Sequence, residues 1–304
     1  MIITLILIFF KIFLLIFSAE AINAARDGLE IWLINVIPSL FPFMVATNII
    51  SQTFVIKSYQ NRNRFLKKFN IRNEIMIPII IGFTAGAPLS SKLIADFIKS
   101  NKITLTEAQR LLSFCSNMGI IFILGVIAST LNDLRIAKII LMVHYSSAII
   151  NGFIFKFYKY RDKTKIENMT FYKNNTRDIT QNISTIFKES ITTSVKSIVI
   201  IGGYIIFFSV VIELLVVSEI AYHISVITEY ENSEPLIYGI IEVTTALEYT
   251  NSPLIISTIL SFSGISIISQ SIAFLEQTKV NLKIFIASKI SHALIAFLLG
   301  SLIF

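Results

Sequence analysis

The residue of this sequence best suited to chemistry is a lysine inside an apolar stretch. Lys92 lies near the end of residues 75–97, behind Gly82, Gly86 and Pro88. An ammonium group at membrane depth is costly and usually belongs to a site, and here it could neutralise a carboxylate of a bound molecule. The alternative is a lysine whose long side chain reaches the membrane interface.

The backbone before this lysine is predicted to be interrupted. Glycine and proline break helices, and in hydrocarbon an irregular backbone persists only where protein or water satisfies its polar groups. Gly86, Pro88, Ser90 and Ser91 therefore predict a broken helix that lines a polar cavity. The four-residue spacing of Gly82 and Gly86 is also typical of close helix packing.

A second polar interruption lies at residues 113–119. Thr104 begins a capping-box pattern that predicts a short helix, and Ser116 and Asn117 follow in a polar turn before the apolar residues 120–131. Two short apolar pieces around a polar turn predict a re-entrant hairpin. The side chains of the turn could hydrogen-bond a heterocycle or cap the broken helix ends.

The second half of the chain carries a similar pair of interruptions. Glu242, Thr244 and Thr245 lie inside the apolar residues 236–258. An intramembrane glutamate could carry a coupling proton or bind a cation, or it could pair with Lys92 and hold the halves together. Both alternatives stay open on the sequence alone.

The second interruption of this half is a hairpin-like piece, residues 259–277. It contains Ser263, Gly264, Ser266 and Gln270. As in the first half, these side chains could contact a ligand or cap the ends of a broken helix.

Two histidines lie at matching places in the halves. His144 and His292 are each inside an apolar stretch. A proton relay is one interpretation of such a pair, and a packed, hydrogen-bonded histidine is the other.

The substrate-binding residues predicted from these patterns fall in the four interruptions. They are Gly86, Pro88, Ser90, Ser91, Lys92, Ser116, Asn117, Glu242, Thr244, Thr245, Ser263, Gly264 and Gln270. We find no nucleophile–base pair, nucleotide motif or metal motif, so we predict no catalytic residues, no metal, no cofactor and no enzyme.

The elements that position these residues are membrane helices. The chain has 304 residues, of which 54% are hydrophobic and 15% charged. This composition is too apolar for a soluble domain of that length and predicts an all-α polytopic membrane protein. One cysteine and three histidines exclude a disulfide framework and argue against a structural zinc site. The net charge of +7 comes from short basic loops that set membrane orientation, so we expect no nucleic-acid partner.

The sequence divides into two halves joined by a basic linker. We expect an N-terminal helix and interfacial segment in residues 1–30, a first repeat in 31–156, a cytoplasmic linker in 157–188 and a second repeat in 189–304. Residues 2–18 predict a retained helix, with a cleaved signal peptide as the alternative. The basic loop at residues 57–72 is expected to be cytoplasmic.

The two halves match residue by residue at a fixed offset. His144 and His292 lie 148 residues apart, and so do Gly152 and Gly300. Because the basic loops place corresponding spans in opposite senses, we predict two inverted-topology repeats with broken helices and re-entrant hairpins, an architecture of secondary transporters.

Several motifs of this sequence resemble those of one family. The stretches at residues 28–43, 86–93, 114–125, 239–244 and 262–270 resemble segments of the YlbJ family of sporulation integral membrane proteins. That family carries the nucleoside-recognition, or Gate, domain and is similar in outline to concentrative nucleoside transporters. The resemblance implies a fold of that kind and a role in moving dipicolinic acid from the mother cell towards the developing spore.

The function predicted at this point is transport of a small aromatic or heterocyclic anion, dipicolinic acid first, across the outer forespore membrane. The partners expected are the lipid bilayer, the anion and a coupling proton or cation. The alternatives are a non-transporting membrane scaffold for spore-envelope assembly, a nucleoside-type transporter and a channel. An intramembrane enzyme ranks last.

Overall fold

The computed structural model describes residues 2–53, 76–158, 183–228 and 233–304. The predicted cytoplasmic loop at 57–72 lies outside the described residues, as does most of the predicted linker. Every regular element within the described ranges is helical.

Fifteen helices make up the described chain, and two wider, π-type turns join some of them. The helices are α1 (Ile2–Ile16), α2 (Ser18–Glu30), α3 (Ile37–Thr53), α4 (Met76–Thr84), α5 (Leu89–Lys99), α6 (Leu105–Cys115), α7 (Ala128–Leu131), α8 (Leu134–Phe155), α9 (Ile183–Val217), α10 (Ile220–Thr228), α11 (Ser233–Ile241), α12 (Val243–Ala246), α13 (Pro253–Phe262), α14 (Gly264–Leu275) and α15 (Leu282–Gly300). The π-type turns are Ile31–Val36 and Phe122–Ile127.

Five stretches of the described residues are long and apolar enough to cross a membrane. They are Ser18–Ile50, Leu134–Phe155, Ile183–Val217, Pro253–Leu275 and Leu282–Gly300. An apolar helix of about 20 residues spans the hydrocarbon core. The all-α polytopic membrane class predicted from composition is thereby supported.

The predicted interruptions of the first half are confirmed. The chain leaves its helix between α4 and α5, at residues 85–88, and again after α6, at residues 116–119. We call these segments break 1 and break 2. The Thr104 hydroxyl accepts the Glu107 amide at 3.1 Å, and the Glu107 carboxylate accepts the Thr104 amide at 2.9 Å, so the capping box is also confirmed.

The boundaries predicted in the second half are partly wrong. The span expected at 236–258 ends at Ala246, and a new helix begins at Pro253. The reason is local, because the Ser252 side chain caps this helix and proline suits its first position. The interruptions themselves lie at Glu242, which we call break 3, and at Ser263, which we call break 4.

The π-type turn Ile31–Val36 lies just before Pro38 and Pro42. The Ile37 amide bonds to the Trp32 carbonyl, five residues back. Because Pro38 has no amide proton and its ring crowds the preceding turn, a local widening accommodates it. The helical path therefore continues from α2 into α3 without stopping.

The arm formed by α2, this turn and α3 packs along α9. The Trp32 indole donates to the Ile198 carbonyl at 2.9 Å, and its ring lies against Gly202. Near the other end of the arm, the Asn48 amide donates to the Ser194 hydroxyl at 2.9 Å. The predicted boundary between linker and second repeat, 188/189, lies within α9.

Helices α8 and α15 pack antiparallel at the centre of the molecule. The rings of His144 and His292 are 4.9 Å apart, while the Asn151 side-chain amide donates to the Ser288 carbonyl at 2.9 Å. Later residues of α8 thus meet earlier residues of α15. This pair carries the polar side chains that reach the breaks.

Candidate functional site

Breaks 1 and 2 lie directly against each other. The Ala87 amide donates to the Asn117 carbonyl at 2.6 Å. Gly86 has a φ of +78°, and a Cβ at this position would collide with the Gly119 amide nitrogen. Glycine is required here both by the backbone conformation and by the close approach.

Side chains of the two breaks extend this junction. The hydroxyls of Ser91 and Ser116 are 3.4 Å apart. The Ser90 hydroxyl and the Asn117 side-chain oxygen are buried and make no hydrogen bond. Since buried polar atoms are nearly always paired, these two atoms are candidates for contact with a ligand.

Breaks 3 and 4 form a corresponding junction in the second half. Gly264, with a φ of +67°, places its Cβ position 3.3 Å from the carbonyl oxygens of Gly239 and Ile241. Ser263 also has a positive φ, of 77°. Such a conformation is unfavourable for a residue with a side chain and is typical of functional or tightly packed sites.

Glu242 caps the short helix after break 3. Its carboxylate accepts the Thr245 amide at 2.8 Å and the Thr244 hydroxyl. The side chain is buried, with 3% exposed. This geometry explains the glutamate by helix capping, which satisfies an amide that the helix leaves free.

The two junctions are joined by a lysine that the sequence analysis did not single out. Lys289 of α15 is 2% exposed. Its ammonium donates to the Ser116 carbonyl in break 2 and to the Ser263 hydroxyl in break 4, the latter at 3.2 Å. Both partners are neutral, so this buried cation has no carboxylate partner among the described residues.

A histidine of α8 makes a second link, between break 2 and the helix that ends at break 4. The His144 ring accepts the Met118 amide at Nε2, at 3.1 Å, and lies 2.9 Å from the Ser261 hydroxyl at Nδ1. His292 donates to the His144 carbonyl at 3.0 Å. The four breaks, Lys289 and His144 therefore form one buried polar centre between the halves.

Lys92 lies outside this centre. Its ammonium contacts the Asp96 carboxylate at 3.0 Å and the Asn48 side-chain oxygen at 3.3 Å. Asp96 is half-exposed, so the lysine has a counter-ion near the protein surface. The pairing of Lys92 with Glu242, left open by the sequence, does not form.

The remaining predicted residues divide between the two junctions. Pro88 precedes α5 within break 1. Gln270, on α14, donates to the Ser266 hydroxyl at 3.3 Å, one turn earlier in the helix. Because α14 packs against α5, this side chain lies in the layer that joins the halves.

A separate acidic cavity lies between α2, α9 and the segment after α12. Its volume is about 310 Å³, and four carboxylates line it, those of Asp27, Glu30, Glu213 and Glu248. Thr245 is the one predicted site residue on its wall. Burial, together with the nearby Glu213 carboxylate, raises the pKa of the Tyr249 hydroxyl at its edge.

No group of three or more histidine, cysteine, aspartate or glutamate side chains is arranged to hold a metal ion within the described ranges. The donors of the buried centre are instead an ammonium, hydroxyls, amides and imidazoles. Such groups suit an organic anion that accepts hydrogen bonds.

The sequence did contain a signal for Lys289. It is the eighth residue of a 19-residue apolar helix and precedes His292 by three positions, which places both side chains on one face. A lysine that deep in a spanning helix is far from both interfaces, unlike Lys92 near the end of its stretch.

Comparison with known proteins supports the resemblance found in the motifs. No protein-family model and no solved structure matches the chain significantly. The chain is similar to the sporulation integral membrane protein YlbJ of Bacillus subtilis (strain 168), with 24% identity over 310 residues that cover 90% of this chain and 75% of the relative. This similarity supports membership of the family predicted from the motifs, the YlbJ sporulation integral membrane proteins.

Proposed function

We propose that this protein is a membrane transporter that moves a small aromatic or heterocyclic anion, dipicolinic acid first, across the outer forespore membrane during sporulation. The relative's name associates the family with sporulation and with an integral membrane location. The observation that carries the proposal is the buried ammonium of Lys289 between two helix breaks.

The setting of Lys289 favours an anionic cargo. A buried charge without an opposite charge costs several kcal/mol of free energy. The carboxylate of a bound anion would supply the missing charge at the Ser116 and Ser263 contacts. Helix α14 begins at Gly264, beside this ammonium, and the N-terminal end of a helix also attracts negative charge.

The four breaks give the cargo hydrogen-bonding partners on both sides. On the first side these are Ser90, Ser91, Ser116 and Asn117, of which the Ser90 hydroxyl and the Asn117 side-chain oxygen make no hydrogen bond. On the second side we assign Thr244, Ser263 and Gln270. A planar heterocycle held between the junctions would contact both halves at once.

An inverted repeat is part of this proposal. Helices α6 and α13 begin at residues 148 apart, Leu105 and Pro253, and so do α8 and α15, at Leu134 and Leu282. The caps before them repeat as well, since Asp133 and Asn281 each bond two amides of the following helix. The antiparallel packing of α8 on α15 agrees with opposite orientations of the halves. Many secondary transporters built from inverted repeats move cargo by rocking or gating one repeat against the other about a central site.

The test is uptake of labelled dipicolinate by liposomes that contain the purified full chain. We expect uptake by the wild type, and Lys289→Gln should reduce its rate at least about tenfold because one charge-assisted contact is lost. Lys283→Gln is the matched control, since Lys283 lies on the same helix and is exposed. Lys92→Ala measures the role first predicted for that residue.

The outcomes of this uptake assay distinguish transport itself from the roles of Lys289 and Lys92. No uptake by the wild type under any ion gradient would contradict transport and favour a scaffold in envelope assembly. Normal uptake by Lys289→Gln would contradict the role of this lysine. A larger loss of uptake in Lys92→Ala than in Lys289→Gln would indicate that the cargo binds beside Lys92 on α5.

A further inference from the structure

The hydrogen bonds of His144 determine its protonation. A backbone amide can only donate, so the Nε2 atom that accepts from Met118 carries no proton. The proton of the neutral ring is therefore on Nδ1 and is donated to the Ser261 hydroxyl. His144 in this structure is a neutral imidazole that joins break 2 to the helix that ends at break 4.

A second proton on His144 would disrupt this arrangement. It would occupy Nε2, so that two donors, the imidazolium and the Met118 amide, would face each other. The hydrogen bond between the His144 ring and the Met118 amide would be lost, and the Tyr145 hydroxyl, 3.4 Å from the Met118 carbonyl, would remain as a contact of α8 with break 2. Break 2 would then be held mainly by its contacts with break 1 and with Lys289.

Burial and the charges around His144 determine whether that proton can bind. From α15, the His292 ring lies 4.9 Å from the His144 ring, and Lys289 bonds to Ser116 and Ser263, each two residues from a partner of the His144 ring. On α8 itself, Tyr145 is the neighbouring titratable residue, and its hydroxyl donates to the Phe83 carbonyl.

The other elements packed on α8 bring little charge to the ring. Helices α7 and α13 and the turn Phe122–Ile127 contain no titratable side chain. Helix α6 ends at Cys115. Its other titratable side chains are Glu107 and Arg110, which bond near the other end of that helix. Glu107 bonds to Thr104, and Arg110 bonds to the Tyr158 carbonyl. Burial of the ring, which is 0% exposed, disfavours a proton on His144 first, and the charge of Lys289 adds to this without a carboxylate of these elements to offset it.

We propose that His144 takes up a proton when an anion binds at Lys289, so that anion and proton are carried together. A bound carboxylate offsets the charge of Lys289, and this removes the repulsion that acts together with burial to keep His144 neutral. By linkage, the proton must in turn strengthen binding of the anion. The inference rests on the proposed function and adds a proton as the second ligand of the same site.

Proton uptake on binding provides the test. Titration calorimetry of the full chain with dipicolinate, in buffers of different ionisation enthalpy, counts protons taken up per anion bound. We expect about one proton for the wild type, with affinity falling up to about tenfold for each pH unit above the titration of the site. In His144→Gln, whose amide oxygen can still accept from Met118, we expect no uptake and a flat pH profile.

His292→Gln is the matched control on the opposite helix. Because its amide can still donate to the His144 carbonyl, proton uptake should persist in this variant. Loss of uptake in His292→Gln but not in His144→Gln would overturn the assignment to His144.

The wild-type measurement does not depend on any variant folding. Binding of dipicolinate without proton uptake would overturn this inference and leave the proposed transport intact. Absence of any binding would overturn both.

Discussion

Glu242 illustrates how a residue that looks functional in sequence can have a structural explanation. Its carboxylate bonds to Thr244 and Thr245, and it satisfies an amide at the start of α12. A helix of four residues depends strongly on such a cap. The same buried carboxylate is also an acid, so capping and proton binding need separate tests.

Substitution of Glu242 distinguishes the two roles. Glu242→Ala should lower the free energy of unfolding by about 1 kcal/mol, since it removes the cap. Glu242→Gln keeps an oxygen acceptor and should lose less than half of that. Thermal unfolding of the purified chain measures the difference.

Transport assays then complete the comparison. If Glu242→Gln is stable but its transport rate no longer changes with a pH gradient, the carboxylate binds a proton. Its role is then not capping alone. Equal stability of the wild type and Glu242→Ala would exclude the capping role.

Lys92 and Lys289 show what the sequence could and could not reveal at this scale. Both are lysines in apolar stretches, and the glycines and proline near Lys92 favoured that residue as the predicted site. The structure gives that lysine a counter-ion, Asp96, four residues later in the same helix. Lys289 has neutral partners from breaks 2 and 4, which lie 173 and 26 residues away in sequence. Contacts over such separations cannot be predicted from local pattern.

At the scale of elements, the breaks were the most predictable feature. Glycine, proline and short polar residues at 85–88 and 116–119 change the backbone locally, so their effect is visible without tertiary information. The end of α12 and the start of α13 were missed because apolar residues continue on both sides of Ser252 and Pro253. Periodicity alone does not show where one apolar helix ends and another begins.

The contact between α9 and its neighbouring arm gives a matched pair of glycines. A Cβ on Gly202 would lie 2.5 Å from the Trp32 ring, whereas one on Gly203 would meet nothing within 4 Å. We expect Gly202→Ala to lower the free energy of unfolding by about 1–3 kcal/mol, since it forces the ring away. Gly203→Ala should be neutral or stabilise by up to about 1 kcal/mol, because alanine favours the helix.

Thermal unfolding in one detergent measures both variants. The two glycines are adjacent in the same helix, so their intrinsic helix propensities cancel. Equal effects of the two substitutions would contradict the packing of Trp32 on Gly202.

At the scale of the whole molecule, the proposed repeat makes a prediction about orientation. Arg135 and Lys283 occupy equivalent positions near the starts of α8 and α15, and both are exposed. In an inverted repeat these helices cross the membrane in opposite senses. Cysteines at the two positions should therefore react from opposite sides with a reagent that does not cross the membrane.

The experiment uses Arg135→Cys and Lys283→Cys in a chain with Cys115→Ser, which removes the single native cysteine. Labelling of sealed cells and of inverted vesicles should give opposite results for the two variants. Labelling from the same side would contradict the inverted repeat, whatever the outcome of the transport assays.

Composition predicted the membrane class of the molecule, and motifs predicted the resemblance to a family, but neither predicted how the two halves meet. The equal spacing of His144 and His292 suggested a repeat. These rings and Lys289 lie between the four breaks because α8 packs on α15. The periodicity of apolar residues in the sequence does not specify this packing.

Trp32 has a further consequence because it is the only tryptophan of the chain. Its indole bonds to α9 and lies against Gly202, at the contact between the arm and the rest of the molecule. Intrinsic fluorescence excited at the indole band therefore comes from this one contact. The protein carries a built-in optical reporter, whose emission would shift to longer wavelength whenever the arm separates from α9 and water reaches the ring.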